Sequence, residues 1–134
     1  MKNLDKLREA LLLTAKRIKD DKSNYQWGHM GRCNVGQLVQ TLTGMNSKQI
    51  IESVSYSLDE WSEHANSYCE NTGHDVEEIF RQLDDFGLSV DDIMKLEYLS
   101  DMSILENIEG GFRYLRRNEK EDVVLYMKSM AELI

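Results

Sequence analysis

Apolar residues recur at three- and four-residue intervals along most of the chain, a period that predicts helices rather than strands. In the first segment Leu4, Leu7, Leu11, Ala15 and Ile18 fall on one face, which predicts a helix over about 4–19. Lys16, Arg17, Lys19, Asp20 and Asp21 close it with charge. Asn34 is placed to begin a second helix, its side chain accepting a backbone N–H while Gln37 reaches back in a capping box. Leu38, Val39 and Leu42 follow, and Gly44 ends it. Ser47 is expected to cap a longer third helix to about Tyr68, striped by Ile50, Ile51, Val54, Leu58, Trp61, Ala65 and Tyr68. Asp75 with Glu78 opens a fourth carrying Val76, Ile79, Phe80 and Leu83, stopped by Gly87. Ser89 with Asp92 opens a fifth carrying Ile93, Leu96 and Leu99. Asp101 is expected to cap a short sixth around Ile104, Leu105 and Ile108. After Gly110–Gly111, Asn118 with Glu121 opens the last, striped by Val123, Val124, Tyr126, Met127, Met130 and Leu133.

No stretch alternates apolar and polar residues long enough to predict a strand, and no internal repeat or low-complexity segment interrupts the pattern. The expectation is an all-α protein, a single compact irregular bundle of six or seven helices over residues 1–134. Proline is absent, which suits helices joined by short loops. Each amphipathic stripe needs the others to cover it, so the bundle is expected to fold as one unit.

Hydrophobic residues make up 41% of the chain and charged residues 30%, enough apolar material for a core and too much for wholesale disorder. The net charge of −8 argues against general nucleic-acid or anionic-membrane binding, because the long-range field repels polyanions. Two cysteines, Cys33 and Cys69, are too few to staple a fold. Charged residues crowd the first ten positions and Leu11–Leu13 is too short for a signal core, so the expected compartment is cytoplasmic with reduced thiols.

The chemistry-bearing stretch is Tyr25–Gly36, with three glycines, Tyr25, Trp27, His29, Arg32 and Cys33. Gly31 and Gly36 have the spacing of a phosphate-binding loop, but Gln37 and Leu38 stand where its lysine and hydroxyl would be, and no strand precedes it. Cys33, just before a helix and near His29 and Arg32, is a candidate nucleophile, since helix N–H groups and nearby cations favour a thiolate. The bland alternative is a buried, inert cysteine. His29 with Cys33, and Cys69 with His74, form two pairs that one zinc or iron ion would bridge, though no closely spaced cysteine pair reinforces them. His64 is an alternative ligand. Gly87-Leu88-Ser89 followed by Ile93 has helix-turn-helix spacing, yet the second helix is expected to expose Asp91, Asp92 and Glu97 with only Lys95 as a base, which is the wrong charge for DNA. Asp84–Asp85 and Asp91–Asp92 lack the alternation of a calcium loop. Arg113, Arg116, Arg117 and Lys120, interleaved with Phe112, Tyr114 and Leu115, are the densest cationic stretch, either an anion or acidic-partner site or a solvated face.

Three stretches carry a resemblance: Trp27-Gly28-His29-Met30-Gly31-Arg32-Cys33-Asn34 with Gly36, Leu38 and Gln40; Leu96-Glu97 with Leu99-Ser100-Asp101; and Leu115-Arg116-Arg117-Asn118 with Glu121 through Tyr126 and Ala131-Glu132-Leu133. Together they resemble an uncharacterised family of small all-helical bacterial proteins. The resemblance implies a helical fold and no particular activity. It also implies that a second cysteine and a histidine of relatives are replaced here by Val35 and Gln37, which weakens a metal site. The function expected from the sequence is a non-enzymatic cytoplasmic binding or interaction protein whose biochemical role is otherwise unknown. Its contact surfaces would be Tyr25, Trp27 and Arg32 on one side and Arg113, Arg116, Arg117 and Lys120 on the other. Its partner would be a protein, a small anion or a second copy in a homodimer, with neither nucleic acid nor membrane and no cofactor. The alternative is a metal- or thiol-dependent enzyme centred on Cys33 and His29.

Overall fold

A computed structural model describes residues 4–20, 25, 32–52 and 75–134, apart from the side chains of 51, 52 and 75–78. The described residues form seven helices and no strand: α1 Leu4–Lys19, α2 Asn34–Thr43, α3 Ser47–Glu52, α4 Asp75–Asp85, α5 Val90–Tyr98, α6 Met102–Glu106 and α7 Lys120–Glu132. The all-α bundle expected from the periodicity is the fold observed. No helix among the described residues is long and apolar enough to cross a membrane. His29, Trp27, His64, Cys69 and His74, and the stretch of the third predicted helix beyond Glu52, lie outside the described residues.

The most extensive helix pair is α1 with α7, which joins the two ends of the described chain. Leu7, Ala10, Leu11, Thr14, Ala15 and Ile18 are the buried face of α1. Val123, Val124, Tyr126, Met127, Met130 and Ala131 are the apolar buried positions of α7. Each large aliphatic side chain buried in such a seam contributes roughly 1.5–3 kcal/mol relative to exposure. Leu4 and Leu133, the outermost residues of the two predicted stripes, are instead about half exposed. They stand at the outer ends of the two stripes, where the described residues cover them only in part. The Arg8 guanidinium donates to the Ile134 carbonyl and fastens this end of the pair.

α2 is the hub, packed against α1, α3, α4 and α5. Its Leu38 and Val39 are fully buried, and the Thr14 and Thr41 hydroxyls hydrogen-bond across the α1–α2 seam at 2.7 Å. α6 is short but firmly held. Ser129 of α7 donates to the Ile104 carbonyl at 2.6 Å, and the Asp101 N–H donates to the buried Tyr126 hydroxyl at 3.2 Å.

Several helix ends differ from the sequence expectation. α3 is capped by Asn46 rather than Ser47: Asn46 Oδ1 accepts from the Gln49 N–H and Gln49 Oε1 from the Asn46 N–H, both at 2.8 Å. The carboxamide of asparagine supplies the same acceptor as serine, one residue earlier. α7 starts after Glu119, without a side-chain cap, and not at Asn118. Asp122, in its first turn, instead accepts from the Arg116 N–H at 2.7 Å and so gathers the preceding segment onto the helix. Ser89 and Asp92 do form the predicted capping box, and Asp101 caps α6 through the Ser103 N–H.

Gly87 closes α4 at φ 97°, with the Leu88 N–H returning to the Leu83 carbonyl and the Gly87 N–H to Asp84, each at 2.9 Å. The same arrangement closes α5, where Ser100 N–H reaches the Lys95 carbonyl at 2.9 Å, but there the left-handed residue is Leu99 at φ 52°. Leu99 is buried, so its side chain holds the core at the expense of a conformation that glycine would adopt freely.

Candidate functional site

Cys33 is 2% exposed and is itself the N-cap of α2. The expected Asn34–Gln37 capping box is displaced by one residue. The Cys33 carbonyl accepts the Gln37 N–H at 2.9 Å, its Sγ accepts the Gly36 N–H at 3.5 Å, and Gln37 Nε2 donates to the Arg32 carbonyl at 2.9 Å. Asn34 is thereby freed for a different task.

That task is an end-to-end clasp between α2 and α5. Asn34, fully buried, donates through Nδ2 to the Glu97 carbonyl at 2.9 Å and to the Arg117 carbonyl at 3.1 Å. In return, Glu97 Oε2 accepts from the Val35 N–H at 3.3 Å and from the Cys33 thiol at 3.2 Å. Free N–H groups at the start of α2 meet a carboxylate from the end of α5, and a free carbonyl at the end of α5 meets the first side chain of α2. The carboxylate also lies at the positive end of the α2 dipole, where an anion is favoured.

Glu97 is thus only 5% exposed, which corrects its expected place on the open face of a DNA-reading helix. It follows Ile93 by four residues and so shares that residue's buried side of α5. The turn between α4 and α5 has the predicted spacing, but α5 packs its inner face on α2, and Lys95 pairs with Asp91 at 3.0 Å.

Tyr25 completes the cluster. Its hydroxyl contacts Asn34 Oδ1 and the Arg117 carbonyl, the latter at 3.0 Å. Burial pushes the Tyr25 phenol well above its ordinary range, with Cys33 and Glu97 adding to the shift. Burial likewise pushes the Cys33 thiol up, and the Glu97 carboxylate beside it acts in the same direction. The thiol is held protonated as a hydrogen-bond donor, the opposite of the activation a nucleophile needs. Tyr25, Arg32, Cys33, Asn34 and Arg117 are brought together here.

The cationic stretch runs through the connection between α6 and α7, with Lys120 the first residue of α7, and carries two exposed aromatics. Phe112 and the 78%-exposed Tyr114 pack edge to face, ring centres 5.1 Å apart. Arg117 lies over the Tyr98 ring at 4.9 Å, and Arg113 approaches Asp122 at 3.9 Å. Arg113 and Lys120 also face a cleft of about 680 Å³ between the end of α1 and the first turns of α7. Lys19 and Lys128 complete its cationic rim, Glu121 and Asp122 are its acidic groups, and Ile18, Val124 and Leu125 form its apolar wall. Lys19 and Lys128 make no ion pair with any described residue.

Lys19 and Lys128 were not singled out as site residues by sequence, because Lys19 read as part of the charge that closes α1 and Lys128 stands alone. Only the pairing of α1 with α7 puts them beside Arg113 and Lys120. Among the described residues no group of three or more histidine, cysteine or acidic side chains is placed to hold a metal ion. No protein-family model, curated protein or solved structure matches this chain.

Proposed function

We propose that this chain is a non-enzymatic cytoplasmic binding protein of bacterial type, whose ligand surface is the cleft between α1 and α7. One observation carries the reading: Lys19, Arg113, Lys120 and Lys128 converge on one concavity of a chain whose net charge is −8. Two of these cations are left without an ionic partner among the described residues. Cations that served only the fold would be expected to meet the abundant carboxylates. The cleft volume falls in the usual range for small-molecule pockets, ~300–1,000 Å³. A small anion therefore fits better than a polyanion, which the surrounding acidic field repels.

The buried, proton-bearing Cys33 supports an architectural role for the Tyr25–Cys33 region and leaves the cleft as the better surface for a ligand. Exposed charge contacts contribute about 0.2–1 kcal/mol each, so three or four together give a bare anion a Kd of roughly millimolar or weaker. The test is an NMR titration of the isotopically labelled protein with inorganic phosphate and acetate. Shifts should concentrate at Lys19, Arg113 and residues 120–128 and vanish in Lys128→Glu. Shifts scattered over the surface, or unchanged in Lys128→Glu, would remove the reading.

A further inference from the structure

We infer that the ligand of this cleft is a small soluble organic anion with an unbranched apolar tail. Its headgroup would be held at the lysine–arginine rim and its tail laid along Leu125 and the lysine stems, over a floor closed by Ile18 and Val124. The inference rests on the anion-binding reading above and adds the chemical class of the ligand. Three observations point to it. The cleft is far larger than a phosphate or carboxylate requires, so a bare anion would leave most of it to water. Its floor is apolar where α1 and α7 meet: Ile18 and Val124 close it from within the core seam, and half-buried Leu125 supplies the accessible apolar surface above them. The methylene stems of Lys19, Lys120 and Lys128 continue it toward the rim, as long cationic side chains commonly do.

Charge and apolar surface are also arranged in sequence from the mouth inward. The cations stand on exposed or partly exposed positions, while Ile18 and Val124 are buried beneath them. A ligand with one charged end satisfies both, whereas a dianion without carbon satisfies only the rim. Asp122 and Glu121 bound the same cleft and disfavour a second negative charge on the ligand. The tail supplies the selectivity: fully burying one methylene tightens binding about fourfold, so an open cleft that covers about half of each should give roughly twofold per carbon.

The experiment is calorimetry on the full chain with acetate, butyrate, hexanoate and octanoate, inorganic phosphate and neutral octanol, all below the concentration at which they self-associate. Octanoate should bind at least about fiftyfold more tightly than acetate, because six methylenes separate them. Octanol should bind more weakly than octanoate. Lys128→Glu should weaken every anion by a larger factor than it weakens octanol, and Leu125→Ser should flatten the chain-length series while changing acetate least. Thermal melting confirms that each variant folds, and Lys19→Glu repeats the charge test on the other helix.

A flat series in which phosphate matches octanoate would leave the anion site standing and overturn its amphipathic character. No binding by any anion would overturn both. Sedimentation with phosphatidylglycerol vesicles that depends on Lys128, with no octanoate binding, would also overturn the proposal in favour of a lipid surface.

Discussion

Asn34→Ala is the substitution that most directly tests the clasp between α2 and α5. The asparagine donates two hydrogen bonds of ordinary length, at 2.9 and 3.1 Å, and accepts a third from Tyr25. Each is worth about 1 kcal/mol net, and the Glu97 carbonyl left in a dry interior adds a further cost. With Asn34 gone, the single Tyr25 hydroxyl proton turns to the Arg117 carbonyl 3.0 Å away, which limits the loss on that side. The sum is about 3 kcal/mol, or a fall in Tm of roughly 10 °C for a domain of this size. Urea unfolding followed by circular dichroism measures it directly. Asn118→Ala is the internal control, since Asn118 is exposed and does not cap α7; its effect should stay within about 0.5 kcal/mol. Tyr25→Phe combined with Asn34→Ala should be less costly than the sum of the two single changes, because the pair share a bond. If Asn34→Ala and Asn118→Ala proved equally mild, the clasp would contribute nothing to stability and the reasoning would fail.

Cys33 carries a thiol whose folded pKa is raised, so its contribution is complete below the unfolded value of about 8.5 and is lost as pH climbs from there toward the folded value. Urea midpoints should therefore fall above about pH 8.5 by at most about 1.4 kcal/mol per pH unit for this group. Tyr25 and Tyr126, raised in the same way, should steepen the decline above about pH 10, and Cys33→Ser should remove only the first segment. Ser89→Ala breaks the capping box of α5 and should cost about 1 kcal/mol in the same assay. Leu99→Ala should cost about 2–4 kcal/mol through its cavity. Leu99→Gly should be no worse than Leu99→Ala, because relief of the left-handed backbone offsets glycine's usual penalty. A clear further loss on going from alanine to glycine there would contradict the backbone assignment.

The helices were legible because their apolar residues keep a strict period. Leu7 to Ile18 in α1 and Val123 to Met130 in α7 are buried where the period puts them. Helix starts were less legible, since neighbouring polar residues compete for the same N–H groups. Cys33 displaced Asn34 because a sulfur lone pair accepts adequately at the α2 terminus while the carboxamide finds stronger partners on α5. Glu97 was misread by its charge. Its place four residues after Ile93 already put it on the inner face, and the N-terminus of α2 opposite stabilises the buried carboxylate. The cleft was the least visible feature. Arg113 and Lys120 stand out in the sequence, but Lys19 and Lys128 lie more than a hundred residues apart, and nothing in the local pattern announces their meeting.

The segment that carries Arg113, Arg116 and Arg117 is anchored at Arg117 through its main-chain carbonyl, which Tyr25 and Asn34 both grip. A peptide carbonyl is common to every residue type, so the anchor is indifferent to the side chain mounted there. Charge, size and aromatic content along the segment can change while its path across the protein is kept. This chain can therefore acquire a new ligand preference by exchanging surface side chains without re-solving its fold, which makes the stretch a natural place to diversify in directed evolution.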